Sequence, residues 1–128
     1  MRALVAIYAL LFASLSQASD WVCPTPNDDY CDSYHAEFIE KQADKRMNEV
    51  YRHLLSDYAT KDGRQPTVNA QRAWLKYADA HCAAILSKFP GGAPGTASLL
   101  EYSCRTELIN KRIVELESYC ESCSGSNL

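Results

Sequence analysis

Six cysteines constrain the fold of this chain more than any other feature of its sequence. They are Cys23, Cys31, Cys82, Cys104, Cys120 and Cys123. In an oxidising compartment, an even number of cysteines is typical of a disulfide framework, here of up to three bridges. A chain of 128 residues forms one domain with a modest core, and loop-closure entropy gives each bridge roughly 3 kcal/mol of stabilisation. We therefore expect a single small domain stapled by disulfides.

The N-terminus has the parts of a secretory signal peptide. Arg2 supplies the positive charge, residues 3–15 form a short apolar stretch, and Ser16–Ala18 supplies the small residues of a cleavage site. The apolar stretch is shorter than the ~20 residues that a transmembrane helix needs. We predict a signal peptide over residues 1–18, a mature chain of residues 19–128, and a periplasmic or secreted location without a membrane span. The alternative interpretation is a buried N-terminal helix.

The charge balance excludes one large class of function. Cleavage removes Arg2 and takes the formal net charge from −3 to −4. A nucleic-acid-binding protein needs a basic face for the phosphates, so that class is not expected. A mild acidic excess suits a protein that attracts basic partners.

Apolar residues recur at three- and four-residue spacing in three segments, which predicts three amphipathic helices. We place them at about residues 29–58, 67–88 and 98–119. Asn27 and Asp28 can cap the first helix, and a capping box of Ser98 and Glu101 predicts the start of the third.

The segments between these helices predict loops. Residues 60–66, with Gly63 and Pro66, and residues 90–95, rich in glycine and proline, both lack helical periodicity. The predicted fold is all-α: a small antiparallel three-helix bundle, up-down-up, with its core at about 29–119 and a loose tail at 120–128. The first helix, roughly 30 residues or ~45 Å, is longer than its partners, and we expect its N-terminal part to project or bend.

Antiparallel packing predicts how the cysteines pair. Cys82 ends the second helix and Cys104 begins the third, so both lie at one end of the bundle. A Cys31–Cys120 bridge would have to span the bundle, far beyond the ~6 Å that a disulfide allows between Cα atoms. Two local bridges, Cys23–Cys31 and Cys120–Cys123, then follow as the default. Whether Cys120 and Cys123 are bridged to each other stays undecided, because a Cys-x-x-Cys bridge needs a particular local turn.

Few residues suggest chemistry. The motif Cys120-Glu121-Ser122-Cys123 suggests a thiol oxidoreductase, but it follows a helix, where the negative end of the dipole disfavours a thiolate. Zinc binding would need His35, His53 or His81, none of which has ligand spacing to these cysteines. Hydrolase and phosphate-binding motifs are absent. We predict no catalytic residue, no metal and no cofactor, with His81 as a packed core residue.

Three motifs follow one another along the predicted helices. They are Met47-Asn48-x-x-Tyr51, Gln71-x-x-Trp74 in a helix that ends at Cys82, and Cys104-x-x-x-Leu108-x-x-x-Arg112-x-x-x-Leu116. In this order they resemble the three elements of the lysozyme inhibitor LprI-like (N-terminal domain) family, over about residues 31–116. We interpret these motif residues as structural core, together with Tyr77 and Asp79. The family often has an arginine before this aspartate, whereas Ala78 stands here, so Asp79 lacks a neighbouring cation in the sequence.

The resemblance implies a protein that inhibits lysozyme in the cell envelope by blocking its cleft. Residues 61–65, residues 90–96 or an acidic helix face could make that contact. The alternative is a periplasmic interaction, stress or immunity protein with a partner other than lysozyme. An enzyme that uses Cys120 and Cys123 is the third hypothesis.

Overall fold

The computed structural model describes residues 21–25, 28–92 and 95–123. It contains three helices: α1 Cys31–Ser56, α2 Lys61–Leu86 and α3 Thr96–Tyr119. These described residues include no β-strand, and the predicted all-α class is confirmed. The predicted signal peptide, residues 1–18, and the end of the predicted tail, residues 124–128, lie outside the described residues.

Contacts between the helices give the up-down-up order. Early in α1, Glu40 pairs with Arg105 near the start of α3, and later Arg46 pairs with Glu117 near the end of α3. These two helices therefore run parallel. The order along α2 is reversed, because Arg105 also pairs with Asp79, late in α2. The helix α3 packs closely along α1 and more lightly against α2.

The core lies mainly between α1 and α3. Its buried residues are Met47, Val50, Leu54, Ile109, Ile113, Leu116 and Cys120. Burying a large apolar side chain contributes about 1.5–3 kcal/mol, so this seam accounts for most of the apolar stabilisation. The helix α2 adds Trp74 at the margin of the core and buries Gln71, Ala78 and Cys82.

The second helix begins six residues earlier than predicted. Thr60 has an extended backbone and acts as the N-cap, and its hydroxyl accepts a hydrogen bond of 3.1 Å from the Gly63 N–H. Pro66 lies inside α2, close enough to its start that only one main-chain hydrogen bond, to the exposed Asp62 carbonyl, is lost. The prediction of a loop over residues 60–66 is wrong, because the threonine cap outweighs the glycine and proline signals.

The predicted start of α3 and the predicted length of α1 are also wrong. Ser98 lies within α3, whose N-cap is Gly95, and no side chain caps this helix. Gly95 has φ +80°, and a Cβ there would come within 3.1 Å of the Tyr30 ring, so glycine is needed at this position. Because α2 starts early, α1 and α2 both have 26 residues, and α1 does not outrun its partner.

Asp28 stabilises the turn before α1 instead of capping the helix. Its Oδ1 accepts a hydrogen bond from the Tyr30 N–H at 2.9 Å, and its carbonyl accepts one from the Cys31 N–H at 3.0 Å. Tyr30 is the N-cap residue, and it makes no side-chain cap bond. The other predicted cap, Asn27, lies outside the described residues.

The structure contains the three predicted disulfides. Cys23–Cys31 ties the N-terminal arm to α1, Cys82–Cys104 joins the end of α2 to the start of α3, and Cys120–Cys123 closes the turn after α3. Their Cα atoms are 5.7, 5.8 and 5.3 Å apart. We call the end of the bundle with the first two bridges the upper end, and the end with the third the lower end.

Candidate functional site

The motif residues of the three helices meet in a buried polar contact, which we call the Arg112 node (Met47, Gln71, Trp74, Arg112 and Glu115). Arg112 Nε donates to Gln71 Oε1 at 2.9 Å, and Gln71 Nε2 donates to Met47 Sδ at 3.6 Å. Arg112 Nη1 donates to Glu115 Oε2 at 2.7 Å, and the guanidinium lies 5.7 Å from the centre of the Trp74 ring. Gln71 and Arg112 are only 5% and 8% exposed.

Side chains of α2 and α3 satisfy the buried charge of Arg112, and Gln71 links this contact to Met47 of α1. Removing one partner of a buried pair is costly, because the remaining group stays desolvated. Sliding α2 by one turn along α1 and α3 would break the contacts of Gln71 with both of them. The node therefore specifies the register of the helices, and its residues act in the fold.

A second polar contact joins all three helices and lies closer to the upper end, seven residues before Arg112 in α3. Arg105 of α3 donates from Nε to Glu40 Oε1 of α1 at 3.1 Å and from Nη1 to Asp79 of α2. The hydrogen bonds with Asp79 and then Glu40 raise the pKa of Arg105, although partial burial opposes them. The cation that Asp79 lacks in the sequence thus comes from α3. Glu40 and Arg105 were not identified from the sequence. The only available signal was the position of Arg105 next to Cys104.

At the lower end, the Cys-x-x-Cys turn is anchored on the last turn of α1. Asp57 Oδ2 accepts hydrogen bonds from the Glu121 N–H at 2.8 Å and the Ser122 N–H at 3.3 Å, and the Ser122 hydroxyl donates to the His53 carbonyl at 3.2 Å. The nearby Ser122 hydroxyl and these N–H groups lower the pKa of Asp57.

This environment argues against a reactive thiol. Cys120 is the C-cap of α3 and is 3% exposed, within the core. The negative end of the helix dipole and the neighbouring Asp57 carboxylate both disfavour a thiolate on this turn. The Cys120–Cys123 bridge therefore fits a structural role, in which it closes the turn that Asp57 binds.

A cavity of about 280 Å³ opens between α2 and α3 above this turn. Its lining includes the apolar Leu54 and Leu116, together with Tyr58, Arg112 and Tyr119. Small-molecule sites usually enclose roughly 300–1,000 Å³. The cavity is thus small, and its only lining cation is already paired within the Arg112 node.

Burial divides the predicted motif residues into three groups. Met47, Gln71, Arg112 and Leu116 are buried, and Tyr51, Trp74 and Leu108 are partly buried. A core position is wrong for the third group, which is exposed: Asn48, Tyr77 and Asp79. Light packing of α2 explains Tyr77, which is 53% exposed. Its ring instead faces His81, with the ring centres 5.4 Å apart. His81 is partly buried, not a packed core residue.

Of the two segments predicted as loops for partner contact, one is helical in the structure and one is a link between helices. Residues 61–65 lie in the first turns of α2 and form no loop. Residues 90–92 belong to the exposed link between α2 and α3 at the upper end, and residues 93–94 lie outside the described residues. The link ends at Gly95, and Thr96 is the first residue of α3.

Within the described residues, no group of three or more histidine, cysteine or acidic residues is placed to hold a metal ion. No helix in the same part of the chain is long and apolar enough to cross a membrane.

The fold and its polar contacts define a small, disulfide-bonded protein of three helices in fixed register. A family model described as "Lysozyme inhibitor LprI" matches residues 35–116, well over half of the chain and parts of all three helices. The chain belongs to this family, as the resemblance of its motifs implied. No curated protein and no solved structure matches the chain.

Proposed function

We propose that this protein is an exported inhibitor of lysozyme that acts in the cell envelope by binding the enzyme. The observation that carries the proposal is the family match over residues 35–116. The match includes both polar contacts that set the register of the helices, around Arg105 and Arg112.

Export is supported by the cysteines and by the predicted signal peptide. Three disulfides fit a protein that reaches an oxidising compartment. The charge of −4 expected after cleavage suits association with lysozymes, which are typically basic. Opposite charges speed the encounter of two proteins and select against partners of like charge.

An inhibitor needs no chemistry of its own, and the Cys-x-x-Cys turn is consistent with that. Its disulfide follows the C-terminus of α3, and its backbone N–H groups bind Asp57. We propose that Cys120 and Cys123 stabilise the lower end and that the protein is not an enzyme.

A lysis assay tests the proposal. Purified, oxidised Ser19–Leu128 is titrated against c-, g- and i-type lysozymes on a suspension of bacterial cells. We expect saturable inhibition of at least one class at a near-stoichiometric dose. The matched control is the same preparation after reduction and alkylation, which removes the disulfides and should lose the effect.

Full lysis by all three classes, at a molar excess of protein that circular dichroism shows to be helical, would refute inhibition. The alternative, a periplasmic interaction, stress or immunity protein with another partner, would then be the better hypothesis. A pull-down from envelope fractions would identify that partner.

A further inference from the structure

The upper end of the bundle carries an exposed surface that the fold itself does not use. We call it the acidic end and define it by Asp29, Asp32, Tyr34, Phe89 and Glu101. Asp29 and Asp32 flank the start of α1, Glu101 lies in the second turn of α3, and Phe89 lies in the link after α2.

Aromatic side chains are exposed at this end. Phe89 is 59% exposed and Tyr34 39% exposed, and neighbouring Tyr30 is 43% exposed. Tyr30 and Tyr34 are four residues apart, so they lie on the same side of α1. Single exposed apolar residues are ordinary, but aromatic residues are enriched at the centres of protein interfaces, and three are exposed at this end.

The charge at this end is negative and unpaired. Within the described residues, Asp29, Asp32 and Glu101 make no ion pair. Lys88 is the only lysine or arginine in residues 21–35 and 86–101. Elsewhere in the described residues six carboxylates are ion-paired, among them Glu117 with Arg46. The unpaired carboxylates at the upper end therefore attract a basic partner.

The backbone beneath this surface is held in place by cross-links and close packing. Cys23–Cys31 ties the arm before α1, and Cys82–Cys104 ties the two ends that the link joins. Ser33, which is 4% exposed, donates to the Tyr30 carbonyl at 2.7 Å. A surface ordered before binding loses little conformational entropy when a partner docks.

We infer that the acidic end is the surface that binds lysozyme, an inference that rests on the proposed function. Tyr34 and Phe89 pack against apolar parts of the enzyme surface. Asp29, Asp32 and Glu101 attract lysine and arginine side chains of the enzyme. The proposed partner is thus a protein with a basic face.

Two pairs of variants, each with a matched control, test this surface in the lysis assay. Phe89→Ser is compared with Val114→Ser, because Val114 is 67% exposed on α3 away from the upper end. Asp29→Lys/Glu101→Lys is compared with Glu49→Lys/Glu121→Lys, which changes the net charge equally at residues that make no ion pair in the described part of the chain. Circular dichroism and thermal unfolding check that all four proteins are folded.

We expect Phe89→Ser and the Asp29→Lys/Glu101→Lys variant to raise the half-inhibitory concentration at least tenfold, and each control to change it less than twofold. The charge variant should also lose most of the salt dependence of association that the wild type shows, because salt screens steering by exposed charges.

The outcomes separate this inference from the proposed function. If the wild type inhibits lysozyme and all four variants inhibit equally well, the surface is wrong and the inhibitor function stands. The surface is also wrong if the controls lose inhibition and the acidic-end variants keep it. If the wild type inhibits no lysozyme, the proposed function fails and this inference fails with it.

Discussion

Replacing Gln71 by leucine removes the central partner of the Arg112 node at nearly constant volume. The change takes away the acceptor of the 2.9 Å hydrogen bond from Arg112 Nε, at two side chains that are 5% and 8% exposed. A hydrogen bond to a charged group contributes about 1.5–3 kcal/mol. Arg112 keeps Glu115 and the Trp74 ring, so the loss stays below the ~3–5 kcal/mol of a fully broken buried pair. We expect Gln71→Leu to lower the free energy of unfolding by about 2–3 kcal/mol.

The matching change on α3 turns this expectation into a test of coupling. Arg112→Met leaves the buried Gln71 amide without its charged partner, at a cost of about 1–3 kcal/mol. In the double variant Gln71→Leu/Arg112→Met, neither group is left unsatisfied. Its cost should therefore fall short of the sum of the two single costs by about 1–2 kcal/mol.

Urea unfolding at neutral pH with the disulfides intact, followed by circular dichroism and by tryptophan fluorescence, measures these costs. Gln42→Leu and Arg72→Met make the same chemical changes at exposed positions and should stay within about 0.5 kcal/mol of the wild type. A Gln71→Leu cost below about 0.5 kcal/mol, or costs that simply add, would refute the assignment of the node as the contact that sets helix register.

Three further predictions concern the ends of the helices. Thr60→Ala should lower the free energy of unfolding by about 1 kcal/mol in the same assay, because the Gly63 N–H loses its acceptor; an unchanged value would contradict the N-cap. The lowered pKa of Asp57 contributes stability that is fully present above the unfolded pKa of about 3.9 and is lost as the pH falls through the lower folded pKa. Urea midpoints from neutral pH to below pH ~4 should therefore fall more steeply for the wild type than for Asp57→Asn, and equal slopes would contradict this. Cys120→Ala/Cys123→Ala should keep full inhibition of lysozyme in the lysis assay, because this bridge has a structural role at the lower end. Loss of inhibition in a folded variant would favour the enzyme hypothesis.

The helices and the disulfides could be predicted from the sequence because both depend on short-range patterns. The apolar spacing marks three segments whatever their partners are. Once the helices alternate in direction, Cys82 and Cys104 have to lie at the same end, and Cys120 and Cys123 at the other.

Helix starts were harder to predict, because competing local signals differ by only about 1 kcal/mol. Gly63 and Pro66 indicate a loop, whereas Thr60 offers an N-cap to the same segment. In the structure the cap prevails, because proline near a helix start costs little. At the start of α3, close packing of Gly95 against Tyr30 replaces the predicted Ser98 cap, and this contact is not local in the sequence.

The interior was predicted in part, since a helical period identifies a face but not how much of it the neighbours cover. Trp74 and Tyr77 lie on the same face of α2, yet Trp74 reaches the core and Tyr77 is 53% exposed. Conversely, Gln71 and Arg112 are polar and buried, which apolar spacing does not reveal. Only the pairing of α2 with α3 brings these two residues together.

The location of the motif residues has a consequence for binding specificity. Gln71 and Arg112 are buried and hold the three helices in register, so they cannot contact a partner directly. Family membership thus accounts for the scaffold, and recognition has to come from exposed residues elsewhere. Asp29, Asp32 and Tyr34 at the acidic end precede the matched range of residues 35–116. A family member with the same Arg112 node and different residues around the start of α1 should therefore keep this fold and bind the proposed partner less tightly. Exchanging only Asp29, Asp32 and Tyr34 for the residues of such a member keeps the Cys23–Cys31 bridge and the buried Ser33. With unfolding and inhibition measured on the same protein, stability should be retained and inhibition lost.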